Sequence, residues 1–147
     1  MAEPFVQVHL HIVWATWDRL PLLDDRVRPR VHGAIAARAR DLGCRPIVVG
    51  GVADHVHALV ALRPAVPIAK LVQEIKGHSS YLMTHEIMRG VFFKWQGSYG
   101  VHAVELESIP RIRAYILDQP RHHLDQSLHA NLELTESARP PNGGRTP

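Results

Sequence analysis

His55 and His57 are two imidazoles separated by one apolar residue, within Asp54-His55-Val56-His57. Side chains at i and i+2 of a β-strand point to the same face and lie about 6–7 Å apart along it, so the pair can share one metal ion. Val56, Ala58 and Val60 would face the other way, and the run from Val56 to Leu62 is apolar enough for an interior strand. A hydrogen-bonded pair of core histidines accounts for the same spacing, because a His-x-His pattern is short and common. His9-Leu10-His11 is a second such triplet, inside an alternating stretch from Val6 to Trp14 that reads as another strand. Spacing does not separate the two pairs. Position favours the later one: Gly50-Gly51-Val52-Ala53-Asp54 is a turn sequence that puts His55 at the mouth of its strand, whereas His9 and His11 sit mid-strand and read as structural.

A third set is Arg111, Tyr115 and Gln119, at i, i+4 and i+8 of a candidate helix and opposite Ile109, Ile112 and Ile116. A polar stripe of this kind is first of all the wet side of a helix. A phenol has a pKa near 10 and is a poor nucleophile until its target or its proton is activated.

These residues need a scaffold, and composition bounds it. The 147 residues suit one domain with its own core, and 46% hydrophobic with 21% charged residues is ordinary globular composition. No apolar run approaches the roughly 20 residues that span a bilayer, and Met1-Ala2-Glu3-Pro4 lacks a signal-peptide pattern, so a soluble cytoplasmic protein is expected. Cys44 has no second thiol to pair with and reads as packing. Residues 1–124 hold 15 lysines and arginines against 11 aspartates and glutamates, and arginine, whose planar fork suits phosphate, predominates. That balance is compatible with nucleic acid and does not require it.

Asp24 or Asp25 can cap a helix running to Leu42, with Pro29 in its first turn and Gly43 as its stop. Arg45–Val52 and His55–Leu62 read as a hairpin across the Gly-Gly turn. Pro67 and Ile68 open a second helix with Leu71, Val72, Ile75 and Ser79 on one face; Val101–Glu107 alternates as a strand; Ser108 and Pro110 start the last helix. The order β-α-β-β-α-β predicts an α+β fold: a ferredoxin-like split βαβ antiparallel sheet followed by a tyrosine-bearing helix. The domain is expected over residues 1–124. Residues 125–147 are expected to form a flexible tail, with Pro140, Pro141, Gly143 and Gly144 near its end.

Five patterns in this order resemble the small single-tyrosine HUH transposases, the insertion-sequence-200-like group and the REP-associated tyrosine transposases. They are His11-Ile12-Val13-Trp14-Ala15-Thr16, Val52 through Val60 around His55-Val56-His57, Lys70 through Ser80, Trp95 through Val101, and Ala114 through Gln119 followed by His122-His123. The resemblance runs from about Val8 to His123. It implies that His55, His57 and Gln119 hold a divalent metal, magnesium or manganese, and that Tyr115 is the nucleophile. The implied reaction cuts and rejoins single-stranded DNA beside a hairpin through a 5′-phosphotyrosine, in a homodimer. Lys70, Lys76 and Arg111 become candidate DNA contacts, and Tyr81 and Tyr99 the other tyrosines to weigh as nucleophiles.

Two positions depart from the family pattern. Pro120 follows Gln119 directly and disfavours a continuous helix there, which either aims Gln119 at the metal or spoils the site. Asp118 stands where asparagine is frequent. Two other readings stay open: a relative that binds DNA without cutting it, and a ferredoxin-like protein holding a metal or small ligand, which would leave Tyr115 remote from the histidines.

Overall fold

The computed structural model describes residue 2, residues 4–125 and residues 130–136. Period-two alternation makes strand β1 (His9–Ala15), with Leu10, Ile12 and Trp14 on one side and His9, His11 and Val13 on the other. Asp24 opens the turn into α1 (Arg28–Asp41), its Oδ1 accepting the backbone N–H groups of Arg26 and Val27 at 2.9 and 3.0 Å. Gly43, at φ 78°, stops that helix in the left-handed conformation that glycine adopts without strain.

Strands β2 (Arg45–Val52) and β3 (His55–Ala61) form the expected hairpin, but Val52 pairs with His55, so the turn is Ala53-Asp54 alone. Gly50 and Gly51 lie inside β2 instead of in the turn. The physical reason at Gly50 is a close approach: a Cβ there would sit 2.6 Å from the carbonyl oxygen of Ile116, so glycine clears the seat of a helix. Helix α2 (Ile68–Leu82) and strand β4 (Gly100–Val104) follow, and β4 ends before Glu107 because Leu106–Ser108 is already a 3-10 turn. Helix α3 (Ile109–Leu117) has Pro110 in its first turn, while the Ser108 side chain makes no capping bond; α4 (Gln119–Asp125) comes next.

The sheet order is β2-β3-β1-β4 with every pair antiparallel, which is the ferredoxin-like split βαβ arrangement. On one face Leu10, Ile12, Trp14, Val56, Ala58 and Val60 pack with Val31, Ile35, Leu71 and Ile75 of α1 and α2. On the other a smaller cluster joins Leu59 to Ile112 and Ile116 of α3. His57 lies opposite Val13, and His11 opposite both Leu59 and His102, so histidines from three strands share this second face.

Residues 130–136 depart from the expected flexible tail. Ala130–Leu132 forms a 3-10 turn, Leu132 packs on the smaller cluster, and Ser98 Oγ donates to the Thr135 carbonyl at 2.6 Å. Gly100 makes room for the segment, since a Cβ there would lie 1.8 Å from the Leu134 carbonyl oxygen. An apolar side chain and a few backbone bonds suffice to seat a short segment whose surroundings have no periodic pattern. Residues 126–129 and 137–147, including Pro140 and the glycines after it, lie outside the described residues. No helix among the described residues is long and apolar enough to cross a membrane.

Candidate active site

Strand β3 presents His55 and His57 side by side on the face away from α1 and α2, both essentially without solvent exposure. Tyr115 arrives from α3, which settles on β2 over Gly50. The helix is then broken at Asp118, whose φ and ψ are −101° and 16°. In a continuous helix the Pro120 ring would collide with the carbonyl of Ile116, and proline has no N–H to return to it. The break aims Gln119 inward: the side chain is fully buried, and its Oε1 lies 3.2 Å from His55 Nε2. Arg111 is left exposed, so the expected single stripe does not form. Tyr115 instead shares the buried side of α3 with Ile112 and Ile116, because that side spans neighbours three and four residues apart.

Glu133 joins these groups. Tyr115 Oη donates to its Oε1 at 2.5 Å, and Gln119 Nε2 donates to the same oxygen at 3.2 Å. Its other oxygen, Oε2, lies 3.2 Å from His55 Nε2 and 3.1 Å from His57 Nε2. His123, one turn beyond Gln119 on α4, brings its Nε2 to 3.1 Å from His55 Nε2 and 3.0 Å from Gln119 Oε1. All of these side chains belong to one chain, and Tyr115 is not remote from the histidines.

The family profile described as "Transposase IS200 like" matches residues 4–119. The chain belongs to the IS200-like transposase family. No curated protein matches it. Among solved structures it is similar to a proposed transposase from Deinococcus radiodurans R1, with a TM-score of 0.59 and 24% identity over 81% of this chain and 96% of that one. It is also similar to a REP-associated tyrosine transposase bound to a REP hairpin, with a TM-score of 0.63 and 14% identity over 99% and 96% of the two chains.

Charge in this family member's site follows from burial set against pairing. Burial alone would lower His55, but Asp54 Oδ1 at 2.7 Å from Nδ1, together with Glu133, outweighs it and lifts the pKa to about 9. Burial dominates at His57 and holds it neutral despite Glu133. For Glu133 burial works upward and loses to hydrogen bonds from His55, His57 and Tyr115, so the carboxyl stays well below its usual range and is ionised. Asp54 is likewise lowered, first by its hydrogen bond to His55.

The donor set fits a divalent cation. One atom each from His55, His57 and Glu133 lies within 4.8 Å of the other two. Neighbouring ligands bound at about 2.1 Å in octahedral geometry stand about 3 Å apart, close to the 3.1–3.2 Å seen here. Imidazole nitrogen and carboxylate oxygen are both donors that divalent cations accept.

The remaining sequence candidates fall elsewhere. Lys70 pairs with Glu74 at 3.5 Å on α2, across the sheet from the histidines. Lys76, the other lysine read as a candidate DNA contact, donates to the carbonyls of Gln96 and Ser98 at 2.6 and 3.2 Å and holds that loop. Tyr81 is exposed on α2, and Tyr99 packs against the larger core cluster. The sequence reading missed Glu133, for which the only signal was the alternation Leu132-Glu133-Leu134. It also missed His123 as a neighbour of Gln119, although i and i+4 on a helix would have placed it.

Proposed function

We propose that the chain is a metal-dependent transposase that cuts and rejoins single-stranded DNA beside a hairpin, with Tyr115 as nucleophile. One observation carries this reading: a single carboxylate, Glu133, is contacted by the Tyr115 hydroxyl on one oxygen and by both histidines on the other. The phenol and the cation donors therefore lie within the reach of one phosphodiester.

His55, His57, Gln119 and Glu133 would hold the cation, magnesium or manganese. Bound there, it would neutralise the phosphate and stabilise charge developing on it. Tyr115 Oη attacks the phosphorus, the bond to the 3′ oxygen breaks, and that oxygen takes a proton and leaves as a 3′-hydroxyl. The 5′-phosphate stays on Tyr115. Attack by a 3′-hydroxyl on this phosphotyrosine reverses the exchange and returns the phenol. Glu133 orients the phenol by accepting its proton in a hydrogen bond, which turns an oxygen lone pair away from the carboxylate.

The hairpin in this reading comes from the hairpin-bound transposase to which the fold is similar. Exposed Arg111 and Lys70 are proposed phosphate contacts, whose loss should weaken binding and reduce its salt dependence. The homodimer is a separate proposal. Mixing Tyr115→Phe with His57→Ala protein restores activity if sites are shared between chains, and leaves it absent if each chain serves itself.

The deciding experiment incubates the full chain with a hairpin-bearing single strand and Mn2+ and resolves covalent adducts on a denaturing gel. Adducts are expected from the wild type and neither from Tyr115→Phe nor without metal. Adducts from Tyr115→Phe would overturn the nucleophile. Hairpin binding with no wild-type adduct would make the chain a non-catalytic DNA-binding relative, and no affinity for hairpin DNA would return the metal or small-ligand reading.

A further inference from the structure

Behind His57, on its side away from Glu133, lies a second imidazole. His11 Nε2 is 2.7 Å from His57 Nδ1, and the two rings are 15° from parallel with centroids 5.0 Å apart. That separation is what an in-line N–H···N bond between rings in nearly one plane requires, so this is an edge-to-edge bond and not a face stack. His11 has no solvent exposure, and its Nδ1 has no hydrogen-bond partner among the described residues. His102, on the far side, has its ring centred 6.0 Å from that of His11 and its own Nε2 buried without a partner among the described residues.

We propose that His11 is the positioning residue that sets the tautomer of His57, through one shared proton that changes side when a divalent cation binds. The inference rests on the metal site proposed above. Without metal, the ionised Glu133 can only accept, so His57 Nε2 carries a proton. Neutral His57 then has a bare Nδ1, His11 Nε2 must be the donor, and His11 Nδ1 is a bare lone pair. An unpartnered lone pair is tolerated in a buried place more readily than an unpartnered N–H.

A cation needs the Nε2 lone pair of His57, so the His57 proton must then sit on Nδ1. Two N–H groups cannot face each other across 2.7 Å. One proton leaves His57 Nε2, the shared proton crosses to His57 Nδ1, and one proton arrives on His11 Nδ1. Both rings are neutral before and after.

A residue kept only for packing would behave differently. Leucine at position 11 would fill the space and exchange the bare Nδ1 of His11 for a bare Nδ1 on His57, so packing should change little while metal binding falls. Titration of the full chain with Mn2+ by calorimetry tests this. His11→Leu is expected to leave Tm nearly unchanged while weakening Mn2+ binding about 10–100-fold, as for other residues that orient a ligand from behind. His11→Gln, which keeps a group able to accept from His57, is expected to recover most of the affinity. His9→Leu, buried on the same strand face, is the control and should bind like the wild type.

Nitrogen-15 NMR of the imidazoles, with Zn2+ as a diamagnetic stand-in, reads the tautomers of the wild type directly and does not depend on any variant folding. The His11 proton is expected on Nε2 without metal and on Nδ1 with it. A folded His11→Leu that binds Mn2+ like the wild type, or a His11 tautomer unchanged by metal, would overturn the inference and leave the metal site standing. A wild type that binds no Mn2+ would instead overturn the metal reading itself.

Discussion

On the face of the sheet covered by α1 and α2, strands β1 and β3 present Leu10, Ile12, Trp14, Val56, Ala58 and Val60, none more than 3% exposed. One residue out of step, the same strands present His9, His11, His55 and His57 to the other face. Each large apolar side chain on the first face contributes about 1.5–3 kcal/mol by leaving water. The second face buries imidazoles, each of which costs free energy unless its nitrogens are paired. His55 is paired through Asp54 and Glu133, and His57 through His11 and Glu133. The contrast teaches that one face holds the chain together, which leaves the other free to carry groups a stable core would exclude.

The largest expected effects break that contrast from each side. His57→Ala should reduce adduct formation by about 100–1,000-fold or more, the scale of losing electrostatic stabilisation at a reacting group, while thermal melting changes little. Ile12→Ala should do the reverse. It should destabilise by about 2–5 kcal/mol in urea unfolding and leave Mn2+ affinity of the folded protein unchanged. Comparable loss of stability in both variants would show that the faces are not separable.

A middle-sized effect is expected where the tyrosine helix is seated. Gly50→Val puts side-chain atoms against the Ile116 carbonyl, so α3 must shift. Stability should fall by about 1–3 kcal/mol, and adduct formation should fall with it. An active, destabilised protein would show that Tyr115 does not depend on this seat.

Alkaline pH probes the charged half of the site. His55 has its folded pKa raised to about 9 from an ordinary 6.5, so its pairing with Asp54 and Glu133 stabilises the metal-free fold fully below pH 6.5. That contribution, about 3 kcal/mol, is lost as pH rises through 9, and His55→Gln should flatten the profile measured in urea.

The smallest effect concerns His32 on α1, whose Nε2 is buried without a partner among the described residues and whose pKa burial pushes down to about 4. A depressed histidine favours the fold above pH 6.5 and loses that contribution as pH falls toward 4. His32→Leu should raise stability by about 1 kcal/mol at neutral pH and more in mild acid, with no change in metal affinity.

Much of this molecule is readable along the chain. The alternation around His9 and His55 reveals two strands and their faces, and Asp24, Pro29 and Gly43 mark the first helix because capping and stopping are local chemistry. Tyr115 and Gln119 are readable as a pair from their four-residue spacing. Glu133 was not. Its role depends on Leu132 finding the cluster around Leu59 and on Gly100 leaving room for Leu134, contacts between residues that are distant in sequence.

The two His-x-His triplets show where the boundary runs. By itself the sequence determined that each pair shares a strand face, because the strand period is a property of the backbone. Only the tertiary structure decided that both pairs share the same face, since cross-strand register is set by how whole strands bury their apolar sides. It also decided that Pro120 turns Gln119 inward, because the proline dictates that the helix must break and only the packing of α3 on β2 determines where the broken end points.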